Sequence, residues 1–213
     1  MRCQMARALW RRSQSRIRRL PVKRLDLAPG FAAALCLLRL LAEPRVFYAF
    51  LAAAAAHEAG HVMAIYLVGG RVTGIRLGMC DAKIETLGLG YRQEIFCALA
   101  GPGMSVLVCL ALRKAYATCA AISLILGLFN AMPVYPLDGG RALRCALVLF
   151  CPKRANRIAV WTERGTLGIL GALALAATFY WKLGMLPLTA AALLTAKAFL
   201  RKRPCKLTRF GVQ

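Results

Sequence analysis

The sequence is poor in acidic residues, in histidine and in aromatic residues. Among 213 residues it has eight Asp and Glu against thirty Lys and Arg, two histidines, and 8% aromatic residues. The net charge of +22 could suggest a nucleic-acid partner. However, aromatic residues are not interleaved with a basic groove, as nucleic-acid platforms require. We therefore expect no nucleic acid among the partners of this protein.

The nine cysteines include no CxxC pair. Several of them fall in or beside apolar runs, where a thiol behaves as a small hydrophobic group. This pattern suggests neither a disulfide framework nor a cysteine-based zinc site.

Long apolar runs dominate the composition instead. Hydrophobic residues make up 60% of the chain, and the mean hydropathy is +0.58, which is too apolar for an ordinary soluble fold. Several runs approach the ~20 residues that cross a hydrocarbon core as helix. We predict an all-α polytopic membrane protein with about six transmembrane helices, near Leu27–Leu41, Val46–Val68, Glu94–Leu112, Ala115–Val134, Thr166–Trp181 and Leu183–Phe199.

The distribution of basic residues predicts the orientation. With both termini in the cytoplasm, the outside connections hold only four basic residues, Arg45, Arg113, Lys114 and Lys182. An excess of basic residues is typical of the cytoplasmic side of a membrane protein. We therefore expect a multi-pass protein of the cell membrane. The expected organisation is a basic cytoplasmic segment (1–26), one intramembrane domain (27–200) and a basic cytoplasmic tail (201–213). The first segment has no apolar core, and an organelle transit peptide is the alternative for it.

Residues 71–92 have a different pattern. Apolar and polar residues alternate in RVTGIRLGM and again in AKIET, with glycines between them. Period-two alternation with such punctuation predicts a small membrane-associated β-hairpin between the second and third crossings; a plain loop is the alternative. A strand edge there could hold an unwound substrate segment by strand addition.

Three polar residues interrupt the second crossing, in the stretch HEAGH. A charge at the centre of a membrane helix costs about 2.5–3.5 kcal/mol, so polar groups there are functional candidates. His57 and His61 are four residues apart and share one helical face. Two imidazoles so placed can bind Zn²⁺, which lowers the pKa of a bound water to about 7, and the carboxylate of Glu58 can accept its proton. The alternative is two helix histidines hydrogen-bonded to neighbouring backbone.

A catalytic zinc requires a third protein ligand and an open position. Because no third histidine exists, this ligand must be a carboxylate or a cysteine. The stretch NAMPVYPLDGG supplies Asp138 at the end of a helix broken by proline and glycine, which predicts a wet cavity; a turn at the membrane surface is the alternative. Asn130 could bind substrate backbone or a developing oxyanion, or could be an amide that packs between helices.

HEAGH on an apolar helix, followed by NAMPVYPLDGG, resembles the site-2 protease family of intramembrane zinc metalloproteases. The NxxPxxPLDGG form is most similar to the branch that contains the stage IV sporulation protein FB. The match covers about residues 45–145 and includes Gly101-Pro102. The chain departs from the pattern at Ser105, where relatives commonly have asparagine, and it has no counterpart of the PDZ and CBS modules of other branches.

This resemblance implies one Zn²⁺ per chain, bound by His57, His61 and Asp138, with Glu58 as general base. It also implies an active site toward the cytoplasm and cleavage in or near a transmembrane segment of a membrane-protein substrate (regulated intramembrane proteolysis). The lipid bilayer and regulatory membrane proteins are the other expected partners. The rival hypotheses are a metal-binding membrane transporter, whose ligands should follow a path through several crossings, and an inactive protease-like scaffold.

Overall fold

The computed structural model describes residues 25–27, 29–77, 82–87, 89–180, 188–189, 191–192 and 195–196. These residues are mostly helical, as the sequence predicts. The chain divides into two compact units, Met1–Ala131 and Met132–Gln213, which are described one after the other. Most of the predicted basic segment 1–26, the tail 201–213 and most of the sixth crossing lie outside the described residues, so the predicted domain boundaries stay predictions.

The first unit contains four described helices: α1 (Pro29–Leu41), α2 (Pro44–Leu67), α3 (Tyr91–Leu112) and α4 (Ala117–Asn130). Pro44 begins α2 at a position where its missing N–H costs nothing and its fixed φ suits a helix. The same helix ends at Leu67, and Gly69, two residues later, has a left-handed φ of 74°. The N–H groups of Gly69 and Gly70 bond back to the carbonyls of Tyr66 and Ile65, which closes the helix end and satisfies its last carbonyls.

Helices α2, α3 and α4 pack against one another through small residues. A Cβ on Gly60 would lie 2.7 Å from the Cβ of Met104, and one on Gly127 would lie 2.6 Å from the Cβ of Ser105. Helices in lipid gain little from hydrophobic burial against each other and depend on such close backbone approach. A hydrophobic cluster joins the C-terminal end of α2, the N-terminal half of α3 and the start of β2. Its buried and partly buried members are Ala64, Ile65, Val68, Val72, Leu89, Cys97 and Ala100.

Three strands form one sheet in this unit: β1 (Leu25–Leu27), β2 (Arg71–Leu77) and β3 (Ala82–Leu87). β2 is central; it pairs antiparallel with β3 and parallel with β1, in the register that places Ile75 opposite Ile84 and Leu25. Residues 78–81, which connect β2 to β3, lie outside the described residues, so the hairpin and its association with the membrane stay predictions. Because β2 has a neighbour on each side, strand addition would have to use the outer edge of β1 or of β3.

The second unit has two described helices, α5 (Asp138–Phe150) and α6 (Ala155–Phe179), which pack against each other. The sequence analysis places no helix between Val134 and Thr166, whereas the structure has α5 and the start of α6 there. The helix that corresponds to the fifth predicted crossing is α6, and it begins at Ala155 rather than near Thr166. Charged residues in its first turns, such as Arg157 and Glu163, hid this helical segment from a search for apolar runs.

Three described helices are long and apolar enough to cross a membrane: α2, α3 and α6, with 24, 22 and 25 residues. Each has a length of about 33–38 Å at 1.5 Å per residue. Large apolar side chains on their surfaces are exposed, among them Leu110 at 57% and Leu173 at 53%, as expected for a membrane protein. Helices α1 and α4 have 13 and 14 residues, and the total of six crossings stays a prediction.

The close contact at Gly60 generates a stability prediction. Gly60→Ala should destabilise the protein by about 1–3 kcal/mol, because the new methyl group meets Met104 and the Ala100 carbonyl. Gly103→Ala is the matched control, since a Cβ on Gly103 meets nothing within 4 Å. Thermal unfolding in detergent, followed by circular dichroism, measures both. Equal melting temperatures for the two variants would contradict the packing described for α2 and α3.

Candidate metal centre

His57 and His61 lie one turn apart on α2 and are buried, with 3% and 7% of their surface exposed. Their ring centroids are 5.0 Å apart, and the ring planes are nearly perpendicular. The four-residue spacing places both side chains on the same face of the helix, as the sequence predicts. Buried imidazoles require polar partners, and the neighbouring helix α3 supplies them.

Each imidazole is held at its Nδ1 atom by a hydrogen bond to α3. His61 Nδ1 lies 2.7 Å from the carbonyl oxygen of Cys97, and His57 Nδ1 lies 2.9 Å from the hydroxyl of Ser105. A carbonyl can only accept, so Nδ1 of His61 carries the proton. In the neutral ring, Nε2 is then the nitrogen with the lone pair that a metal requires. Ser105 is itself tied to α4, because Ser123 donates to its carbonyl at 3.1 Å.

The Nε2 atoms of both histidines converge above Gly101 of α3. A Cβ built on Gly101 would overlap Nε2 of His61 and lie 2.8 Å from Nε2 of His57. Gly101 therefore leaves the room that the imidazole nitrogens need beside α3, which any side chain would take. Two Nε2 atoms around such a space, in rings oriented through Nδ1, have the geometry of a zinc-binding histidine pair with its supporting hydrogen bonds.

Glu58 follows His57 directly on α2 and is half-buried. Successive helix residues differ by about 100° around the axis, so Glu58 projects to one side of the face that carries the histidines. The HExxH spacing predicts a general base at this position, and that role of Glu58 stays a prediction.

Asp138 is the first residue of α5 and is buried, with 9% of its surface exposed. The sequence analysis places it at the end of a broken helix, and this is wrong, because α4 ends at Asn130 and Asp138 begins the next helix. A carboxylate in the first turn of a helix is favoured by the helix dipole. Arg141, one turn later, lies 3.8 Å from Asp138 Oδ1 through its Nη1 atom.

Three buried residues are potential metal ligands: His57 and His61 in the first unit and Asp138 in the second. Each offers one ligand atom, an imidazole nitrogen or a carboxylate oxygen. Two imidazole nitrogens and a carboxylate oxygen form a donor set that zinc accepts in catalytic sites.

Asn130, the last residue of α4, donates from Nδ2 to the carbonyl of Leu126 at 3.1 Å. This contact accounts for one of its two side-chain N–H groups within its own helix. Both roles that the sequence analysis considers for Asn130, packing between helices and binding of substrate backbone or an oxyanion, stay predictions.

The supporting residues Ser105 and Gly101 are the ones that the sequence analysis left without a role. Both belong to the stretch ALAGPGMS, in which Gly101 and Ser105 are one helical turn apart and face α2. Neither residue attracts attention singly. A glycine and a serine four residues apart in an apolar helix, however, indicate a helix face that contacts another helix closely.

Comparison with models of protein families finds no match, and comparison with curated proteins finds none either. Among solved structures, the chain is similar to the site-2 protease from Methanocaldococcus jannaschii, with a TM-score of 0.59 and 20% sequence identity. The likeness covers 85% of this chain and 91% of that one. This chain has the fold of a site-2 protease. At this identity the comparison establishes the fold, and the function depends on the residues of this chain.

The space above Gly101 generates a metal-binding prediction. Gly101→Ala should abolish zinc binding, because the added methyl group overlaps Nε2 of His61. Zinc content of the purified protein, measured by atomic emission, tests this, with Gly103→Ala as the control in the same helix. Stoichiometric zinc in Gly101→Ala would show that the metal does not lie between the two Nε2 atoms.

The hydrogen bond between Ser105 and His57 generates a second metal-binding prediction. Loss of a partner that orients a ligand typically weakens metal binding about 10–100-fold, and Ser105→Ala should do so. Gly103→Ala, in the same helix, is the control, because a Cβ on Gly103 meets nothing within 4 Å. Chelator competition measures the two dissociation constants, and similar values would remove Ser105 from the support of the site.

Proposed function

We propose that this protein is an intramembrane zinc metalloendopeptidase that cleaves a peptide bond in or near a transmembrane segment of a membrane protein. The carrying observation is the pair of buried imidazoles on α2, whose Nε2 atoms converge above Gly101. That helix is long and apolar enough to cross a membrane. The fold likeness to a site-2 protease supports the same proposal.

In this proposal His57, His61 and Asp138 hold one Zn²⁺, which supplies Lewis acidity toward the scissile carbonyl and toward water. Glu58 accepts a proton from the attacking water and delivers it to the leaving nitrogen. The hydrogen bonds at Nδ1 of both histidines keep the rings oriented throughout. Asn130 remains a candidate to bind the substrate backbone, through the amide groups that its contact with Leu126 does not use.

The proposed substrate is a membrane-protein helix, because the candidate centre belongs to a helix of membrane-spanning length. A helix hides its peptide bonds in its own hydrogen bonds, so part of the substrate must unwind before cleavage. The outer edge of β1 or β3 could hold such an unwound segment by strand addition. Membership of the sporulation-protein branch, both termini in the cytoplasm and an active site toward the cytoplasm are further parts of the proposal.

A metal transporter is the less favoured alternative. Transport would require successive ligand groups along a path. Among the residues that the structure describes, the two imidazoles lie one turn apart on the same helix, with the carboxylate of Glu58 adjacent in sequence. A permanently inactive scaffold would not require Glu58 beside the histidines.

Two substitutions test the proposal together. Glu58→Gln should retain zinc and lose proteolysis by at least about 10³-fold, because the amide cannot accept the proton. Asp138→Asn should weaken zinc binding, because it replaces the charged ligand with a neutral amide. Zinc content and cleavage of fluorescent transmembrane peptides in liposomes measure the two properties, and a proteomic comparison of cells expressing wild type and Glu58→Gln identifies natural substrates.

Gly103→Ala is the control for zinc content and for proteolysis, because a Cβ on Gly103 meets nothing within 4 Å. Metal-dependent proteolysis that survives Glu58→Gln would contradict the assignment of the base. Zinc flux into liposomes that survives Glu58→Gln, without any proteolysis by the wild type, would favour the transporter.

A further inference from the structure

Arg144 of α5 makes two different contacts within the second unit. Its guanidinium carbon lies 4.4 Å from the centre of the Tyr135 ring, over the face of that ring. Its Nη2 atom donates to Glu163 Oε2 of α6 at 3.0 Å. A guanidinium can stack with its plane and donate from its edge at the same time, so one side chain connects Tyr135 to Glu163.

The Arg144–Glu163 pair is well shielded from solvent. The side chains are exposed by only 29% and 14%, so the pair is less screened than one on an open surface. Breaking such a pair leaves a poorly hydrated charge, which is costly. The position of the Arg144 guanidinium is therefore fixed from α6.

Tyr135 belongs to the irregular segment that leads into Asp138. Within this segment the N–H of Leu137 bonds to the carbonyl of Val134 at 2.9 Å. The segment also lies directly on the first turn of α5, since a Cβ on Gly140 would come within 2.5 Å of the backbone nitrogen of Tyr135. The backbone just before Asp138 thus packs against the first turn of α5, and the Arg144 guanidinium covers the ring of Tyr135.

We propose that Arg144, held by Glu163, is a positioning residue that fixes Tyr135 and through it the backbone and carboxylate of Asp138. This inference deepens the proposed function and rests on it, because it assigns the support of the proposed third zinc ligand. Arg144 touches neither metal nor substrate in this account. Its effect is to keep the carboxylate in one orientation, so that zinc binding need not select it from several.

A purely structural role for the ion pair makes different predictions. If Arg144 only joins α5 to α6, variants that keep the ion pair should bind zinc as tightly as the wild type. A positioning role instead lowers zinc affinity even in variants that keep the ion pair and the stability of the zinc-free protein. The test therefore measures both quantities on the full-length protein in detergent, with chelator competition for zinc and thermal unfolding after zinc removal.

Two variants separate these roles. Arg144→Lys keeps the charge opposite Glu163 but loses the planar group over Tyr135, and Tyr135→Leu removes the ring and leaves the ion pair intact. Each should raise the zinc dissociation constant about 10-fold or more, as expected for a residue that orients a ligand. Arg157→Lys, on an exposed arginine of α6, is the control and should change neither zinc affinity nor melting temperature.

A charge reversal sharpens the comparison. Arg144→Glu combined with Glu163→Arg restores an ion pair between α5 and α6 without a guanidinium supplied from α5 over Tyr135. It should recover the melting temperature lost in Arg144→Glu alone, but the zinc dissociation constant should stay raised. Full recovery of zinc affinity in the double variant would overturn the proposal, because the ion pair alone would then be sufficient.

Asp138→Asn, measured in the same way, distinguishes the two levels of inference. If this variant binds zinc as tightly as the wild type, the proposed ligand set fails. If it binds zinc weakly while Arg144→Lys and Tyr135→Leu bind as tightly as the wild type, the positioning role of Arg144 fails and the proposed function stands.

Discussion

The arrangement of the candidate site depends on hydrogen bonds between α3 and the Nδ1 atoms of two buried histidines. Without them, each imidazole could rotate or exchange tautomers, and its Nε2 atom would not have a fixed direction. With them, both Nε2 atoms point to one space above Gly101. The close packing of α2, α3 and α4 follows from the same requirement, because a hydrogen bond of 2.7 Å to a backbone carbonyl demands that the helices nearly touch.

Small residues make this approach possible. Gly60, Gly101 and Gly127 each lie where a methyl group would collide with the neighbouring helix or with a histidine. In a soluble protein the hydrophobic effect would draw such helices together around large side chains. In lipid the hydrophobic effect between helices is weak. Close approach of the helix backbones and hydrogen bonds from buried hydroxyl groups take its place. The large apolar side chains face outward instead, as Leu110 and Leu173 do.

The sequence was sufficient to predict the helical class, the helices around His57 and Pro102, and the histidine pair, because helical periodicity and apolar length are local properties. It was insufficient for α5, whose glycines and arginines resemble a loop. The supporting role of Ser105 was equally hidden, since it arises from a contact across 48 positions of sequence. Asp138 was identified as a candidate ligand from the proline- and glycine-rich stretch around it. Its location at a helix start depends on the close contact of Gly140 with Val134 and Tyr135.

The two histidines differ in the kind of group that supports them. His57 relies on the hydroxyl of Ser105, which a single codon change can remove, whereas His61 relies on the carbonyl of Cys97, which every amino acid at that position would still provide. Random mutagenesis of α3 should therefore damage the two halves of the pair unequally. Substitutions at position 97 leave this carbonyl in place, so a genetic screen would miss the support that the backbone of Cys97 gives.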